Sequence, residues 1–186
     1  MTHGQFFIAL CALWVGSELL IGTIRHSRGG ASRRDRGSLV VLWIAITGAA
    51  FAGSALRHVK ATRIDGPWHY WAGIALIGAG IAVRWSAILT LRRQFTVDVS
   101  IQEDHQLIDR GVYAVIRHPA YTGAIISFAG LGLVFDNWLS FAAVLISAVA
   151  ALSYRIAVEE RALIEHFGDR YRAYARRTKR LIPGIY

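Results

Sequence analysis

Two residues near the end of a long apolar stretch, Arg155 and Glu159, have the types and the spacing to bind a charged ligand. They are four positions apart, which places both side chains on one face of a helix. A guanidinium group can hold a carboxylate through two parallel hydrogen bonds, and a carboxylate can accept hydrogen bonds from a ribose hydroxyl or an amine. A simple helical salt bridge at a membrane rim would use the same pair, so the spacing alone leaves both interpretations open.

A second polar cluster precedes an apolar run, in the sequence RHPAYTG that contains Arg117, His118 and Tyr121. Pro119 suits the first position of a helix, because its missing backbone N–H would have no partner there anyway. We expect the free N–H groups of this helix start, with their partial positive charge, to open beside His118 and Tyr121 and to suit a carboxylate. Alternatively, Arg117 and His118 contact lipid headgroups while Tyr121 joins an aromatic belt.

The elements that must position these residues are apolar segments. Hydrophobic residues make up 54% of the 186 residues, above the roughly 45–50% of a soluble domain, and they are concentrated in runs. Runs of about 20 residues can cross a bilayer core about 30 Å thick. We predict an all-α integral membrane protein with five transmembrane helices, spans 4 and 5 forming a helical hairpin through a tight turn at Asp136 and Asn137. The predicted spans are 5–24, 38–56, 68–91, 120–135 and 138–158.

Two further segments lie outside these spans. The alternation of apolar and polar residues over 95–101 has a period of two and predicts an extended or short hairpin segment. After Gly168, the sequence DRYRAYARRTKR has Tyr171, Tyr174 and basic residues at the spacing of an amphipathic helix. Such a helix would lie on anionic lipid.

The charge distribution predicts an orientation in the membrane. The net charge is +9 and the pI about 10.4, but the basic residues flank apolar segments and no nucleic-acid-binding motif accompanies them, so we expect no nucleic-acid partner. The segments after spans one, three and five are the most basic and lie on one side, which the positive-inside rule makes cytoplasmic. The N-terminus is then outside and the C-terminus inside. The lone Cys11 excludes an intrachain disulfide and a cysteine-based metal site.

Two charged residues fall within predicted spans. Glu18 and Arg84 would each cost at least about 2.5 kcal/mol as isolated charges in a bilayer, so they are expected to face a partner or a cavity. We predict either a structural ion pair or side chains that extend to the cytoplasmic membrane surface, and a contribution of Arg84 to a site is a further hypothesis.

The sequence HQLIDRGVYAVIRHPAYTG, followed by a span and by RIAVEERALIEHFGDRYRAYARRTKRLIPG, resembles the isoprenylcysteine carboxyl methyltransferase family. More distantly it resembles the phospholipid methyltransferases. The resemblance runs from about residue 105 to the C-terminus. It implies a membrane-embedded methyltransferase that uses S-adenosylmethionine without a Rossmann domain, and no G-x-G-x-x-G follows a strand in this sequence. It also implies two regions, a three-span membrane region over 1–91 and a cofactor-binding, catalytic region over 92–186.

The resemblance assigns roles residue by residue. Arg155 is associated with the substrate carboxylate, and together with Glu159 it forms the expected catalytic pair. The expected cofactor-binding residues are His105, Gln106, Leu107, Ile108, Tyr113, His118, Pro119, Ala120, Tyr121 and Glu159.

The acceptor is expected to be lipophilic, because a groove between membrane helices would admit it while the polar cofactor enters from the cytoplasm. Carboxyl O-methylation of an isoprenylcysteine-like acceptor is favoured, since an anionic acceptor needs positioning and no base. Methylation of a phospholipid amine is an alternative, in which Glu159 or Glu160 would remove a proton. A non-catalytic membrane scaffold is the other alternative. Membrane lipids are the remaining expected partners.

Overall fold

The computed structural model describes residues 3–24, 33–92 and 106–186, and the regular elements in this part of the chain are helical. Two 3₁₀ turns, Lys60–Thr62 and Gly111–Ala114, connect some of the helices. The predicted all-α fold and the predicted hairpin are therefore confirmed. The six helices are α1 (His3–Ile24), α2 (Arg33–Leu56), α3 (Trp68–Leu91), α4 (Pro119–Val134), α5 (Trp138–Phe167) and α6 (Asp169–Arg177).

Within the described residues, three helices (α1, α3 and α5) are long and apolar enough to cross a membrane. The apolar part of α2, Val40–Leu56, and the whole of α4 are shorter apolar helices. The five predicted spans thus correspond to five apolar helices, and a count of five membrane crossings stays a prediction. The α5 helix continues to Phe167, past the predicted end at Val158. The segment predicted to be extended, 95–101, lies outside the described residues.

Glycine pairs bring α3 and α4 into close contact. A Cβ atom on Gly80 would lie 2.4 Å from the carbonyl oxygen of Gly123, and one on Gly123 would lie 2.6 Å from that of Gly80. A second pair, Gly73 and Gly130, is equally close, with corresponding distances of 2.7 and 2.4 Å. Small residues at such positions allow two backbones to approach in the absence of a hydrophobic driving force between membrane helices. The position of α4 against α3 is therefore fixed by backbone contact.

The hairpin turn between α4 and α5 is built around Asn137. Its side-chain oxygen accepts hydrogen bonds from the backbone N–H groups of Leu139 (2.9 Å) and Ser140 (3.2 Å), which caps the start of α5. Its amide nitrogen donates to the carbonyl of Val59 (2.9 Å). The Ser140 hydroxyl donates to the carbonyl of Gly53 (2.7 Å), which joins α5 to α2.

The predicted ion pair between Glu18 and Arg84 is confirmed. Arg84 Nη2 donates to Glu18 Oε2 at 2.7 Å, and Arg84 Nε donates to the other carboxylate oxygen. Arg84 Nη1 also donates to the carbonyl of Ala120 at 3.2 Å. The pair therefore ties α1 and α3 to the first turn of α4, which carries several of the predicted site residues.

The tyrosines of α6 face the protein, and contact between the basic face of this helix and lipid stays a prediction. Tyr171 and Tyr174 are buried, and the Tyr174 hydroxyl donates to the carbonyl of Tyr113 at 2.7 Å. Burial raises the pKa of Tyr174 to about 12, so this hydroxyl keeps its proton. Arg170 and Arg176 are exposed on the other face. The helix is amphipathic as predicted, but its tyrosine face packs against protein because a backbone carbonyl there accepts the buried hydroxyl.

Replacing Gly80 with alanine tests the contact between α3 and α4. We expect Gly80→Ala to destabilise the protein by about 1–3 kcal/mol, the usual cost of overpacking, because the new methyl group has no space. Gly78 is the matched control, since a Cβ on this residue of the same helix would meet nothing within 4 Å. Apparent unfolding temperatures in detergent should fall for Gly80→Ala and not for Gly78→Ala. Equal temperatures for the two variants would contradict the close contact.

Candidate active site

The start of α4 is held by the C-terminal tail. The backbone N–H of Arg117 donates to the carbonyl of Lys179 at 2.7 Å, and that of His118 donates to the carbonyl of Arg180 at 3.0 Å. This is a short stretch of strand-like pairing, with a parallel bridge between Ile116 and Lys179. The tail therefore sets the position at which the RHP sequence enters the helix.

Pro119 is the first residue of α4, as predicted, and it is buried. The predicted free N–H groups beside it are fewer than expected. The N–H groups of Tyr121 and Thr122 both donate to the carbonyl of His118 at 3.0 Å. Proline itself has no N–H, and the N–H of His118 donates to the tail. The bond from Tyr121 uses a donor that a straight helix start would leave open, whereas the bond from Thr122 is the ordinary first bond of an α-helix. A ligand carboxylate would therefore find little of the expected backbone site.

A carboxylate does lie at this helix start, but it belongs to Glu160 of the chain itself. Glu160 Oε1 accepts a hydrogen bond from Arg117 Nε at 2.9 Å and lies 3.3 Å from His118 Nε2. Its Oε2 accepts from Arg180 Nε at 3.0 Å and from Arg180 Nη2 at 2.7 Å. The Glu160 side chain is 9% exposed. Because four nitrogen atoms occupy its lone pairs, Glu160 is a structural carboxylate and a poor candidate for a base.

Arg117 makes further contacts that exclude it from the lipid headgroups. Its Nη1 donates to the carbonyl of Ala175 at 2.9 Å and also to the carbonyl of Thr178. Its side chain is 10% exposed and that of His118 is 3% exposed. The alternative in which Arg117 and His118 anchor the chain to headgroups is therefore wrong, because both side chains are taken up by internal acceptors.

Glu159, the residue before Glu160, faces a different partner. The Tyr121 hydroxyl donates to Glu159 Oε2 at 2.7 Å. The His118 ring stacks on the Tyr121 ring, with centroids 5.6 Å apart, and its Nδ1 lies 4.0 Å from Glu159 Oε2. The Glu159 side chain is 30% exposed. Glu159 is thus oriented from one side by Tyr121 and can accept further hydrogen bonds from a ligand on the other.

Arg155 lies one helical turn before Glu159 and is 3% exposed. Its Nη1 donates to the hydroxyl of Ser38 at 2.7 Å, and Ser38 on α2 is fully buried. The structure therefore brings a guanidinium group into the space between α2 and α5. Ser38 was not a predicted site residue, because a single serine at the start of an apolar run has no motif to distinguish it.

Two tyrosines border this cluster. Tyr113 is buried and packs with Ala87 and Ala120. Burial and the nearby charge of Glu159 raise the pKa of Tyr113 far above its ordinary value, so its phenol stays neutral. Burial, and after it the charges of Glu160 and Glu159, raise the pKa of Tyr171 far above its ordinary value. Its hydroxyl has no hydrogen-bond partner within the part of the chain that the structure describes.

The remaining predicted cofactor residues lie before the turn Gly111–Ala114. Gln106 is exposed, while Leu107 and Ile108 are half-buried. His105 lies outside the described residues. The structure thus brings the side chains of His118, Tyr121 and Glu159 together. Pro119 and Ala120 lie between His118 and Tyr121, in the first turn of α4. The contribution of 105–108 to a cofactor site stays a prediction.

Comparison with known proteins identifies the family. The model of the isoprenylcysteine carboxyl methyltransferase (ICMT) family matches residues 72–165. This chain belongs to that family. It is 29% identical over 191 residues to the probable protein-S-isoprenylcysteine O-methyltransferase of Oryza sativa subsp. indica, an alignment that covers 99% of this chain and 97% of the relative. The structure of the eukaryotic intramembrane Ras methyltransferase ICMT superposes with a TM-score of 0.69 and 25% identity, covering 98% of this chain and 67% of that chain.

A shorter alignment shows similarity to a second kind of methyltransferase. It is 42% identical over 72 residues to methanethiol S-methyltransferase 1 of Bradyrhizobium diazoefficiens, covering 39% of this chain and 24% of that protein. The ICMT-family chain is accordingly an integral membrane methyltransferase, and the family implies a methyl donor. The side chains around Glu159 fit such a ligand, because they offer a partly exposed carboxylate and, at Tyr171, a hydroxyl with no described partner.

Neutralising Glu160 tests its structural role. We expect Glu160→Gln to lower the apparent unfolding temperature and to expose the tail to proteolysis, because it leaves Arg117 and Arg180 without their counter-charge. Removing one partner of a buried ion pair costs about 3–5 kcal/mol, and the partial exposure of Arg180 places this case at the lower end. Glu165→Gln, an exposed position of the same helix, is the control. A tail that resists proteolysis equally in both variants would contradict the assignment.

Proposed function

We propose that the ICMT-family chain transfers a methyl group from S-adenosylmethionine to the carboxylate of a lipophilic, isoprenylcysteine-like acceptor. The observation that carries this proposal is the placement of Arg155, a buried cation between apolar helices, one helical turn from the partly exposed carboxylate of Glu159. A buried guanidinium attracts a carboxylate more strongly than an exposed one, because the surrounding dielectric is low. The similarity to the probable protein-S-isoprenylcysteine O-methyltransferase of Oryza sativa and to the Ras methyltransferase ICMT supports the same chemistry.

The cofactor is held, in this proposal, by the polar cluster at the start of α4. Glu159 accepts hydrogen bonds from hydroxyl or amino groups of the cofactor, and Tyr121 keeps the Glu159 carboxylate in place with its 2.7 Å hydrogen bond. His118, stacked on Tyr121, fixes the orientation of the Tyr121 ring. When bound, S-adenosylmethionine supplies the methyl group on a positively charged sulfur. The other expected contacts are His105, Gln106, Leu107, Ile108, Tyr113, Pro119 and Ala120.

Arg155 positions the acceptor. A carboxylate is already an anion, so no proton has to be removed and the protein's task is to orient the acceptor oxygen towards the methyl group. Arg155 can hold one carboxylate oxygen and leave the other to react. The hydrogen bond from Arg155 to Ser38 limits the directions in which the guanidinium can point. Burial between helices also keeps water away from the acceptor, which would otherwise compete for Arg155.

The same geometry disfavours methylation of a lipid amine. An amine is protonated near neutral pH and must lose a proton before it can react. Glu160, one of the two expected bases, has its lone pairs occupied by Arg117, His118 and Arg180. Arg155 would also repel the positively charged amine. A carboxylate acceptor needs no base and is attracted by Arg155.

A thiol is the second candidate acceptor, because the match to methanethiol S-methyltransferase 1 is 42% identical where it aligns. A thiolate is an anion and would be attracted by Arg155 as a carboxylate is.

We further propose that the site lies on the cytoplasmic side with the N-terminus outside, since the basic tail belongs to the same end of the helices as the cluster.

A panel of acceptors tests the proposed function. Purified protein is incubated with S-adenosylmethionine labelled in its methyl group and with S-farnesyl-N-acetylcysteine, phosphatidylethanolamine or methanethiol. We expect label in the farnesylated compound, in a form that mild alkali releases as methanol, which is diagnostic of a methyl ester. Label confined to the lipid amine or to the thiol would overturn carboxyl methylation. No label with any acceptor, together with no cofactor binding, would support the scaffold alternative.

Substituting Arg155 separates its role from cofactor binding. We expect Arg155→Gln to lower the rate of transfer to the carboxylate acceptor by about 100-fold, which is the rate loss typical of a misplaced reactant. The affinity for S-adenosylhomocysteine should stay within about 3-fold of that of the parent protein. Arg155→Lys should recover part of the activity because it restores the positive charge. Arg161→Gln, at an exposed position of the same helix, is the control. If Arg155→Gln instead abolished cofactor binding in a folded protein, Arg155 would be a cofactor residue.

A further inference from the structure

A cleft on the C-terminal tail is lined in part by Arg117 and Arg180 and is not used by the proposed reaction. Its volume is about 240 Å³. Both elements that form it, the end of α6 and the tail, contact the start of α4, so the cleft lies at one end of the helix bundle. Its lining includes Arg117, Arg176, Lys179, Arg180, Ile185 and Tyr186.

The wall of the cleft is fixed in place by contacts behind it. Arg117 and Arg180 both donate to Glu160, so neither guanidinium is free to swing away. Arg180 Nη1 also donates to the Tyr186 hydroxyl at 3.2 Å, and the Arg180 guanidinium lies over the Tyr186 ring, 5.5 Å from its centroid. The tail folds back in this contact, and the N–H groups of Leu181 and Ile182 both donate to the main-chain oxygen of Tyr186 at 2.7 Å.

The cleft has more positive than negative charge. The single carboxylate of Glu160 faces two guanidinium groups and, in addition, the ring of His118. Arg176 and Lys179 add two exposed cations, and none of the lining side chains is acidic. The side chains at the cleft thus carry one excess positive charge from the Arg117, Arg180 and Glu160 group and two more from Arg176 and Lys179.

We propose that this cleft binds a phosphate group. The exposed guanidinium of Arg176 matches the geometry of phosphate oxygens, and Lys179 adds a mobile point charge. Arg117 and Arg180 remain bonded to Glu160 and contribute only positive charge behind these two residues. Ile185 and the Tyr186 ring supply an apolar edge beside the cations. Anionic lipid headgroups concentrate near such basic surfaces at the cytoplasmic face of a membrane, and a soluble phosphate offers the same group. Phosphate binding at this cleft is independent of which compound accepts the methyl group.

The test uses the full-length protein in detergent and measures lipid binding by native mass spectrometry. The probes are phosphatidylglycerol, with phosphatidylcholine as the lipid without net charge, and inorganic phosphate as the soluble competitor. The cleft variant is Arg176→Gln/Lys179→Gln. The control is Arg161→Gln/Arg170→Gln, which removes the same charge from exposed positions outside the cleft.

We expect the cleft variant to bind phosphatidylglycerol about 10- to 30-fold more weakly than the parent protein, and the control to bind it within about 3-fold, given about 1 kcal/mol for each basic residue near a lipid surface. Displacement of the lipid by millimolar inorganic phosphate, with phosphate binding also lost in the cleft variant, would identify a soluble phosphate as the source. Resistance to phosphate would identify the lipid headgroup. Equal losses in both double variants, or no loss in the cleft variant, would overturn the proposal.

Discussion

The carboxylate of Glu160 is the interaction on which the arrangement of the site depends. It joins α5 to Arg117 and His118 at the start of α4 and to Arg180 in the tail, and these three partners come from two separate parts of the chain. A buried carboxylate with this many donors is costly to leave unpaired, so the pairing discriminates strongly against other arrangements of the tail. Its neighbour Glu159 is then directed to Tyr121 and remains partly exposed. Two adjacent glutamates thus have different surroundings: Glu160 joins the helices to the tail, and Glu159 stays partly exposed beside Tyr121.

The frame around this carboxylate is made by close helix contacts. The glycine pairs allow α3 and α4 to touch along their backbones. Arg84 can therefore reach both Glu18 on α1 and the Ala120 carbonyl in the first turn of α4. On α2, the Ser38 hydroxyl accepts a hydrogen bond from Arg155, and the Gly53 carbonyl accepts one from Ser140; both donors belong to α5. Each contact is modest by itself, and together they hold the guanidinium of Arg155 and the carboxylate of Glu159 one helical turn apart on a rigid α5.

The sequence allowed the helices to be predicted well because their ends carry local signals. Pro119 marks the start of α4, and the Asp136–Asn137 turn separates it from α5. The ion pair of Glu18 and Arg84 was predictable from the cost of a lone charge in lipid. The partners of Glu160 and Arg155 were not predictable in this way. Arg117 is 43 positions from Glu160 and Ser38 is 117 positions from Arg155, and local periodicity contains no information on such distant pairs. The burial of the α6 tyrosines was missed for the same reason, because an amphipathic pattern does not specify whether lipid or protein covers the apolar face.

The most direct test of a cofactor site at Glu159 is calorimetric binding of S-adenosylhomocysteine to the purified protein and to Glu159→Gln, with Glu165→Gln as the control. We expect saturable binding to the parent protein and to the control. In Glu159→Gln we expect at least a 10-fold loss of affinity, roughly the 1.5–3 kcal/mol of a hydrogen bond to a charged group. Unchanged affinity in Glu159→Gln, or no binding to a protein shown to be folded, would rule out a methyl-donor site at this carboxylate.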